Sequence, residues 1–108
     1  MEDRLNPVIE AYLSASNQGD DVAFLECFVS DAVVVDEGRT YHGSGEILGW
    51  FKHTRSEYDF TATQTGFREE ADDWIVTCSV SGTFPGSPAD ISYRFKLDNS
   101  KIAKLTIE

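Results

Sequence analysis

The chain has 108 residues, a hydrophobic fraction of 41% and a formal net charge of −10, which together predict one globular domain spanning residues 1–108. This composition excludes a disordered chain. The negative charge opposes binding to nucleic-acid phosphates or to an anionic membrane surface, so we expect neither nucleic acid nor membrane as a partner.

The cysteines and histidines do not form a metal-binding pattern. Cys27 and Cys78 fall in apolar stretches, and the N-terminus shows no basic segment followed by an apolar run. Such a pair of cysteines predicts two buried free thiols in a cytoplasmic protein. His42 and His53 are too far apart to form a His-x-x-x-His pair, so we expect no metal site.

The first residues predict two short helices that meet at a corner. An apolar stripe at helical spacing defines the first helix, and it consists of Leu5, Val8, Ile9, Tyr12 and Leu13. Asn6-Pro7 is suited to its start, with an earlier start around Asp3 as the alternative, and Gly19 is suited to its end. Asp20 or Asp21 then caps a second helix, which we expect to run through Phe28.

A valine-rich strand and a third helix follow. The consecutive valines 33–35 predict a strand buried on both faces, and the strand ends at the carboxylate of Asp36. Residues 39–43 predict a short extended return that pairs with it. Glu46 favours a helix start near Gly43, because a carboxylate is stabilised at the positive end of the helix dipole, and this helix should fade near Ser56.

From Asp59 onward the apolar residues alternate with polar ones, which is typical of antiparallel strands with one packed face. The residues that share the apolar face are Trp74, Val76, Cys78 and Val80, then Ile91, Tyr93, Phe95 and Leu97, then Ala103, Leu105 and Ile107. Helices followed by an antiparallel meander predict an α+β domain.

The order of these elements and several short motifs resemble the nuclear-transport-factor-2-like (NTF2-like) superfamily, in its SnoaL-like polyketide cyclase and ketosteroid isomerase branch. The motifs are Tyr12-Leu13-Ser14-Ala15-Ser16-Asn17-Gln18-Gly19-Asp20, Phe24 and Phe28, Asp31-Ala32-Val33, Tyr41-His42-Gly43 and Glu46-Ile47. The resemblance implies a curved antiparallel sheet wrapped around the N-terminal helices, with a cone-shaped pocket as in cystatin-like folds. It does not fix the reaction, because this fold hosts many activities.

The resemblance also implies a catalytic set. Asp36 matches the position of the general base in the isomerases, and Tyr12 matches a tyrosine that donates to the forming oxyanion. Tyr93 falls where the isomerases carry a second acid, which is a departure from their pattern. The other residues expected at the ligand pocket are Phe24, Phe28, Val34, Trp50, His53, Cys78 and Phe95.

Each of these residues also has a plain structural interpretation. Asp36 could instead be a surface carboxylate, or bond to the turn amides at Glu37-Gly38. Tyr12 and Tyr93 could only pack, with their hydroxyls in water. His53 could be an acid or base, or simply solvated.

Two functions therefore stay open. The first is a cofactor-independent isomerase, cyclase or dehydratase that acts on a small apolar carbonyl compound. The second is a non-catalytic ligand-binding or dimerisation module of the same fold. In either case we expect a homodimer through the sheet face that carries Thr77, Ser79, Ser92 and Arg94.

Overall fold

The computed structural model describes residues 5–57 and 59–107, and it confirms the α+β class. The elements in chain order are α1 (Pro7–Gln18), α2 (Asp21–Glu26), β1 (Phe28–Asp36), β2 (Arg39–His42), α3 (Gly43–Glu57), β3 (Phe60–Glu70), β4 (Asp73–Gly82), β5 (Ala89–Asp98) and β6 (Lys101–Ile107). The first four residues, on which the argument about an N-terminal leader rests, lie outside the described residues, and the cytoplasmic location stays a prediction.

The helical corner forms as the capping signals predict. The Asn6 side chain accepts a hydrogen bond from the Val8 backbone at 3.0 Å, and Gly19 ends α1 in the left-handed region at φ 69°. Asp20 caps α2 by accepting from the Ala23 backbone at 3.1 Å.

The second helix is shorter than expected, and the prediction that it includes Phe28 is wrong. Its last residue is Glu26, and Phe28 is the first residue of β1, where it pairs with Ile102 of β6. The Ile102 backbone N–H also donates to the Cys27 carbonyl at 2.8 Å. Pairing with a strand distant in sequence therefore overrides the local helical pattern at this point.

Within the described ranges, six strands form one open sheet in the order β2-β1-β6-β5-β4-β3. Strands β3 to β6 pair in sequence as the expected antiparallel meander, and β2 returns antiparallel to β1. Strand β1 joins β6 in parallel, which the alternation pattern does not reveal. Register shifts interrupt β1–β6, β3–β4 and β5–β6, and such irregularities bend the strands.

The valine run is buried on one face only, so the expectation of a strand buried on both faces is wrong. Val34 is fully buried, whereas Val33 and Val35 are half-buried. The partners of Val33 and Val35 on β6 are Lys104 and Thr106. Their polar side chains place this side of the strand at the wetter, outer face of the sheet.

The core lies between the helices and the inner face of the sheet, and Phe24 is at its centre. The Phe24 ring stacks on Phe51 of α3, with centroids 3.8 Å apart and planes at 10°. It also lies within 5.2 Å of the Tyr12 ring centroid and 5.3 Å of that of Phe28. Helices α1, α2 and α3 are thus joined by one aromatic cluster.

Both cysteines are buried free thiols, as expected. Burial raises the pKa of the Cys78 thiol to about 11, so this thiol is protonated at neutral pH. Within residues 5–57 and 59–107, no helix is long and apolar enough to cross a membrane, and no group of three or more His, Cys, Asp or Glu side chains could hold a metal ion.

Candidate functional site

A cavity of about 560 Å³ lies between α1, α3 and the inner face of the sheet, and we refer to it as the cone cavity. This volume is in the range of small-molecule sites. Its described lining residues are Tyr12 and Ser16 of α1, Asp36 and Glu37 at the end of β1, Trp50, Phe51 and Thr54 of α3, Phe60, Val80, Ile91, Tyr93 and Ile107 of the sheet, and Phe84 and Pro85 of the loop after β4.

The structure brings the three predicted catalytic residues to this cavity. Tyr12 reaches it from the buried stripe of α1, Asp36 from the last position of β1, and Tyr93 from the inner face of β5. The rings of Tyr12 and Tyr93 meet edge to face with centroids 6.3 Å apart. A carboxylate and two phenols from three separate elements therefore share one space.

Asp36 is half-buried, and its main side-chain partner comes from α3. The indole Nε1 of Trp50 donates to Asp36 Oδ2 at 3.0 Å. Burial raises the pKa of Asp36, and the neighbouring charge of Glu37 adds to this, while the hydrogen bonds from Trp50 and from the Glu37 backbone oppose it. A hydrogen bond to the turn amides is one of the plain structural interpretations of Asp36 given above. Asp36 both accepts such a bond from the Glu37 backbone and lines the cavity.

The two tyrosine hydroxyls are held in their protonated form. Burial raises the pKa of Tyr12 well above its usual value, and the neighbouring Tyr93 and Asp36 add to the shift. The pKa of Tyr93 is raised for the same main reason. Among the described residues, neither hydroxyl has a hydrogen-bond partner. Since no fully buried polar side-chain atom there lacks a partner, both hydroxyl groups must reach the free space of the cavity. Both hydroxyls are thus free to donate to a group in the cone cavity.

The residues expected at the ligand pocket divide into three groups. Trp50 lines the cone cavity, and its indole N–H also donates a hydrogen bond to Asp36. Phe24, Phe28, Val34, Cys78 and Phe95 lie in the core below it and are not among the described lining residues. His53 is exposed on α3 and is likewise not among them. The alternation pattern identifies which residues of a strand are on the inner face. It does not distinguish those that pack in the core from those that line the cavity.

The lining of the cavity includes residues to which no functional role was assigned from the sequence. Phe84 and Pro85 belong to a stretch recognised only as a loop, and Phe60 begins β3. Phe60 is held by Arg55, whose Nη1 donates to the Phe60 carbonyl at 3.0 Å and whose guanidinium lies 4.9 Å from the Phe60 ring centroid. In the sequence, the only signal for this contact is an arginine five positions before a phenylalanine.

The family model of the SnoaL-like domain matches residues 9–104. The chain belongs to the SnoaL-like family. Among curated proteins, none matches it at a significant level.

Solved structures agree with this SnoaL-like assignment. A candidate polyketide cyclase from Sinorhizobium meliloti superposes with a TM-score of 0.93 at 34% identity, covering 96% of this chain and 95% of that one. A protein with a ketosteroid isomerase-like fold from Catenulispora acidiphila, in complex with trimethylamine, gives a TM-score of 0.84 at 19% identity over 97% and 86%. An NTF2-like protein from Cytophaga hutchinsonii gives 0.78 at 14% over 100% and 93%. The last two show the shared fold.

The raised pKa of Asp36 predicts a pH-dependent stability in this SnoaL-like domain. Below the pKa that Asp36 has in the unfolded chain, its carboxyl group is protonated in both the folded and the unfolded state. As pH rises from there through the higher pKa of the folded state, the carboxyl ionises more readily in the unfolded chain, so the folded state loses stability. Asp36→Asn should therefore raise the melting temperature at pH 7, and this gain should vanish at acidic pH. Melting curves measured across this pH range test it.

Asp31→Asn is the matched control for this measurement. Asp31 lies on the same strand but is exposed, so the substitution changes the net charge equally without relieving a buried carboxylate. A gain in stability at pH 7 that is no larger for Asp36→Asn than for Asp31→Asn would contradict the prediction.

Proposed function

We propose that this SnoaL-like domain binds a small, largely apolar carbonyl compound in the cone cavity and acts on it by acid–base chemistry without a cofactor. The single observation that carries the proposal is that a half-buried carboxylate, Asp36, and two protonated hydroxyls, of Tyr12 and Tyr93, line one mostly apolar cavity. The similarity to a candidate polyketide cyclase at 34% identity supports chemistry of this type, and a protein with a ketosteroid isomerase-like fold shares the architecture.

In the proposed mechanism Asp36 removes a proton from the carbon next to the carbonyl group. Its raised pKa makes it a stronger base than an exposed aspartate. The negative charge that develops on the carbonyl oxygen is stabilised by the hydroxyl of Tyr12, with Tyr93 as a second donor. Return of this proton from Asp36 to another carbon of the conjugated enolate gives isomerisation. Attack of the enolate on a second carbonyl, whose oxygen then takes the proton from Asp36, gives cyclisation. Departure of a β-hydroxyl group as water, with the proton again supplied by Asp36, gives dehydration.

The experiment that tests this proposal begins with a thermal-shift screen of small carbonyl compounds, followed by turnover assays on those that stabilise the chain. Asp36→Asn should lower kcat by about 10²–10⁴-fold, the usual contribution of a general base. Tyr12→Phe should lower it by about 10²-fold or more through loss of an oxyanion donor. Both variants should remain folded.

Tyr41→Phe is the matched control, because Tyr41 contacts Trp50 but is not among the described lining residues. Its turnover should equal that of the wild type. Unchanged turnover in Asp36→Asn would remove this residue from the mechanism. Compounds that bind the cavity and are never converted would instead favour the non-catalytic ligand-binding module.

We also propose a homodimer through the outer face of β4 and β5. Thr77 and Ser92 are paired on this face and half-buried, and their short side chains leave it flat enough to meet a second copy. Sedimentation should show a dimer at micromolar concentration, and Thr77→Arg should convert it to a monomer. Ala11→Arg, at an exposed position of α1, should leave the dimer intact. A wild-type monomer at this concentration would contradict the proposal.

A further inference from the structure

The charges around the cone cavity are of one sign. Of its fourteen described lining residues, Asp36 and Glu37 are acidic, and none is lysine, arginine or histidine. Two arginines contact or pair with lining residues, but neither is among the described lining residues itself. Arg55 is bound to Phe60, and Arg39 is the strand partner of Asp36 but is exposed. The described part of the lining therefore offers no positive charge to an anionic ligand.

The carboxylate of Asp36 lacks a counter-ion within the described chain. Its side-chain partner is a neutral donor, the indole of Trp50, and the ion pairs formed by the described residues do not include it. A half-buried carboxylate with hydrogen bonds but no cation is only partly compensated for its lost hydration. A ligand with a positive charge would supply the missing partner, whereas an anion would add repulsion in a site of reduced dielectric.

Aromatic rings share the cavity with this carboxylate. They belong to Tyr12, Trp50 and Tyr93 and to three phenylalanines, Phe51, Phe60 and Phe84. The negative face of an aromatic ring attracts an organic cation, most strongly where water is excluded. Aromatic rings alone also accept neutral ligands, but rings combined with an unpaired carboxylate favour a cation over its neutral isostere.

We propose that the cone cavity selects ligands in which a positively charged amine is attached to an apolar body, with the ammonium group beside Asp36. This inference rests on the proposed function, because it names the charge class of the ligand for the same cavity. The apolar body would lie against Val80, Ile91 and Ile107 on the sheet. An ammonium group beside Asp36 would lower the pKa of this carboxylate and so keep it ionised as a weaker base, but the same positive charge close to the carbonyl would acidify the carbon that Asp36 deprotonates. The two effects oppose each other, so cation binding and base catalysis are compatible.

Two probes of the same shape test the charge preference. Phenyltrimethylammonium and tert-butylbenzene differ in one nitrogen and one positive charge, and calorimetric titration of the full chain gives the affinity of each. We expect the cation to bind about tenfold more tightly than the neutral probe. Asp36→Asn should abolish this preference, because it should lower the affinity for the cation about tenfold and leave the affinity for the neutral probe unchanged.

Asp31→Asn controls for attraction by the overall charge of −10. It removes one negative charge from an exposed position of the same strand, and it should keep the full preference. Equal or weaker binding of the cation by the wild type would overturn the inference and leave the proposed function standing, as would a preference that survives in a folded Asp36→Asn. Failure of both probes to bind would overturn the inference together with the proposed use of the cavity as a ligand site.

Discussion

Phe24→Ala should lower the free energy of unfolding by about 3–5 kcal/mol, the usual cost of removing a buried phenylalanine. The Phe24 side chain is fully buried, and its ring stacks at 3.8 Å on Phe51 while contacting Tyr12 and Trp50. Truncation would leave a void among three helices that cannot close without moving them. Urea denaturation followed by circular dichroism measures the loss.

Val22→Ala provides the control on the same helix. Val22 is 69% exposed, so its truncation should change stability by no more than about 0.5 kcal/mol. Similar losses in the two variants would mean that Phe24 is not the centre of the core. Because Tyr12 and Trp50 line the cone cavity and touch Phe24, the variant should also bind cavity ligands more weakly, even under conditions in which it remains folded.

Gly82→Ala is expected to have the second large effect. A Cβ atom at this position would overlap the Asp59 carbonyl oxygen and lie 2.8 Å from the Phe60 Cα atom. Both are backbone atoms, so a side-chain rotation cannot relieve the clash, and we expect a loss of about 1–3 kcal/mol. Denaturant titration measures it. Because Phe60 lines the cone cavity, its displacement should also weaken ligand binding.

Gly49→Ala is the same substitution in a different setting. Gly49 is exposed in the middle of α3, and nothing lies within 4 Å of the added methyl group. We expect a gain in stability of about 0.5–1 kcal/mol, because alanine is the better helix former. If Gly82→Ala proved as harmless as Gly49→Ala, the close approach of β4 to Phe60 would be disproved.

The parts of the fold that the sequence predicts depend on neighbours a few residues apart. The caps at Asn6 and Asp20 and the stop at Gly19 involve side chains and backbone groups within four residues of each other. The pairing of Phe28 with Ile102 joins residues 74 positions apart, and no local pattern encodes it. Helix and strand periods therefore predicted the elements, but not how β1 enters the sheet.

The candidate site shows the same division. Asp36, Tyr12 and Tyr93 line the cavity. Their shared position could be expected only from the resemblance to a family, which carries non-local information that composition and spacing lack. The hydrogen bond from Trp50 to Asp36 spans fourteen positions and two elements, so it could be found only in the structure. Other residues expected at the pocket, such as Phe95, lie on the inner face of the sheet but are buried in the core and are not among the described lining residues.

The parallel pairing of β1 with β6 has a consequence for how this protein folds in the cell. β6, the last strand in chain order, lies in the interior of the sheet, between β1 and β5. During synthesis β1 emerges from the ribosome well before β6. Until β6 follows, the edge of β1 that pairs with it stays unpaired and the apolar run 32–35 stays exposed. Unpaired apolar strand edges favour association between chains, so the nascent chain should need a chaperone most in this interval.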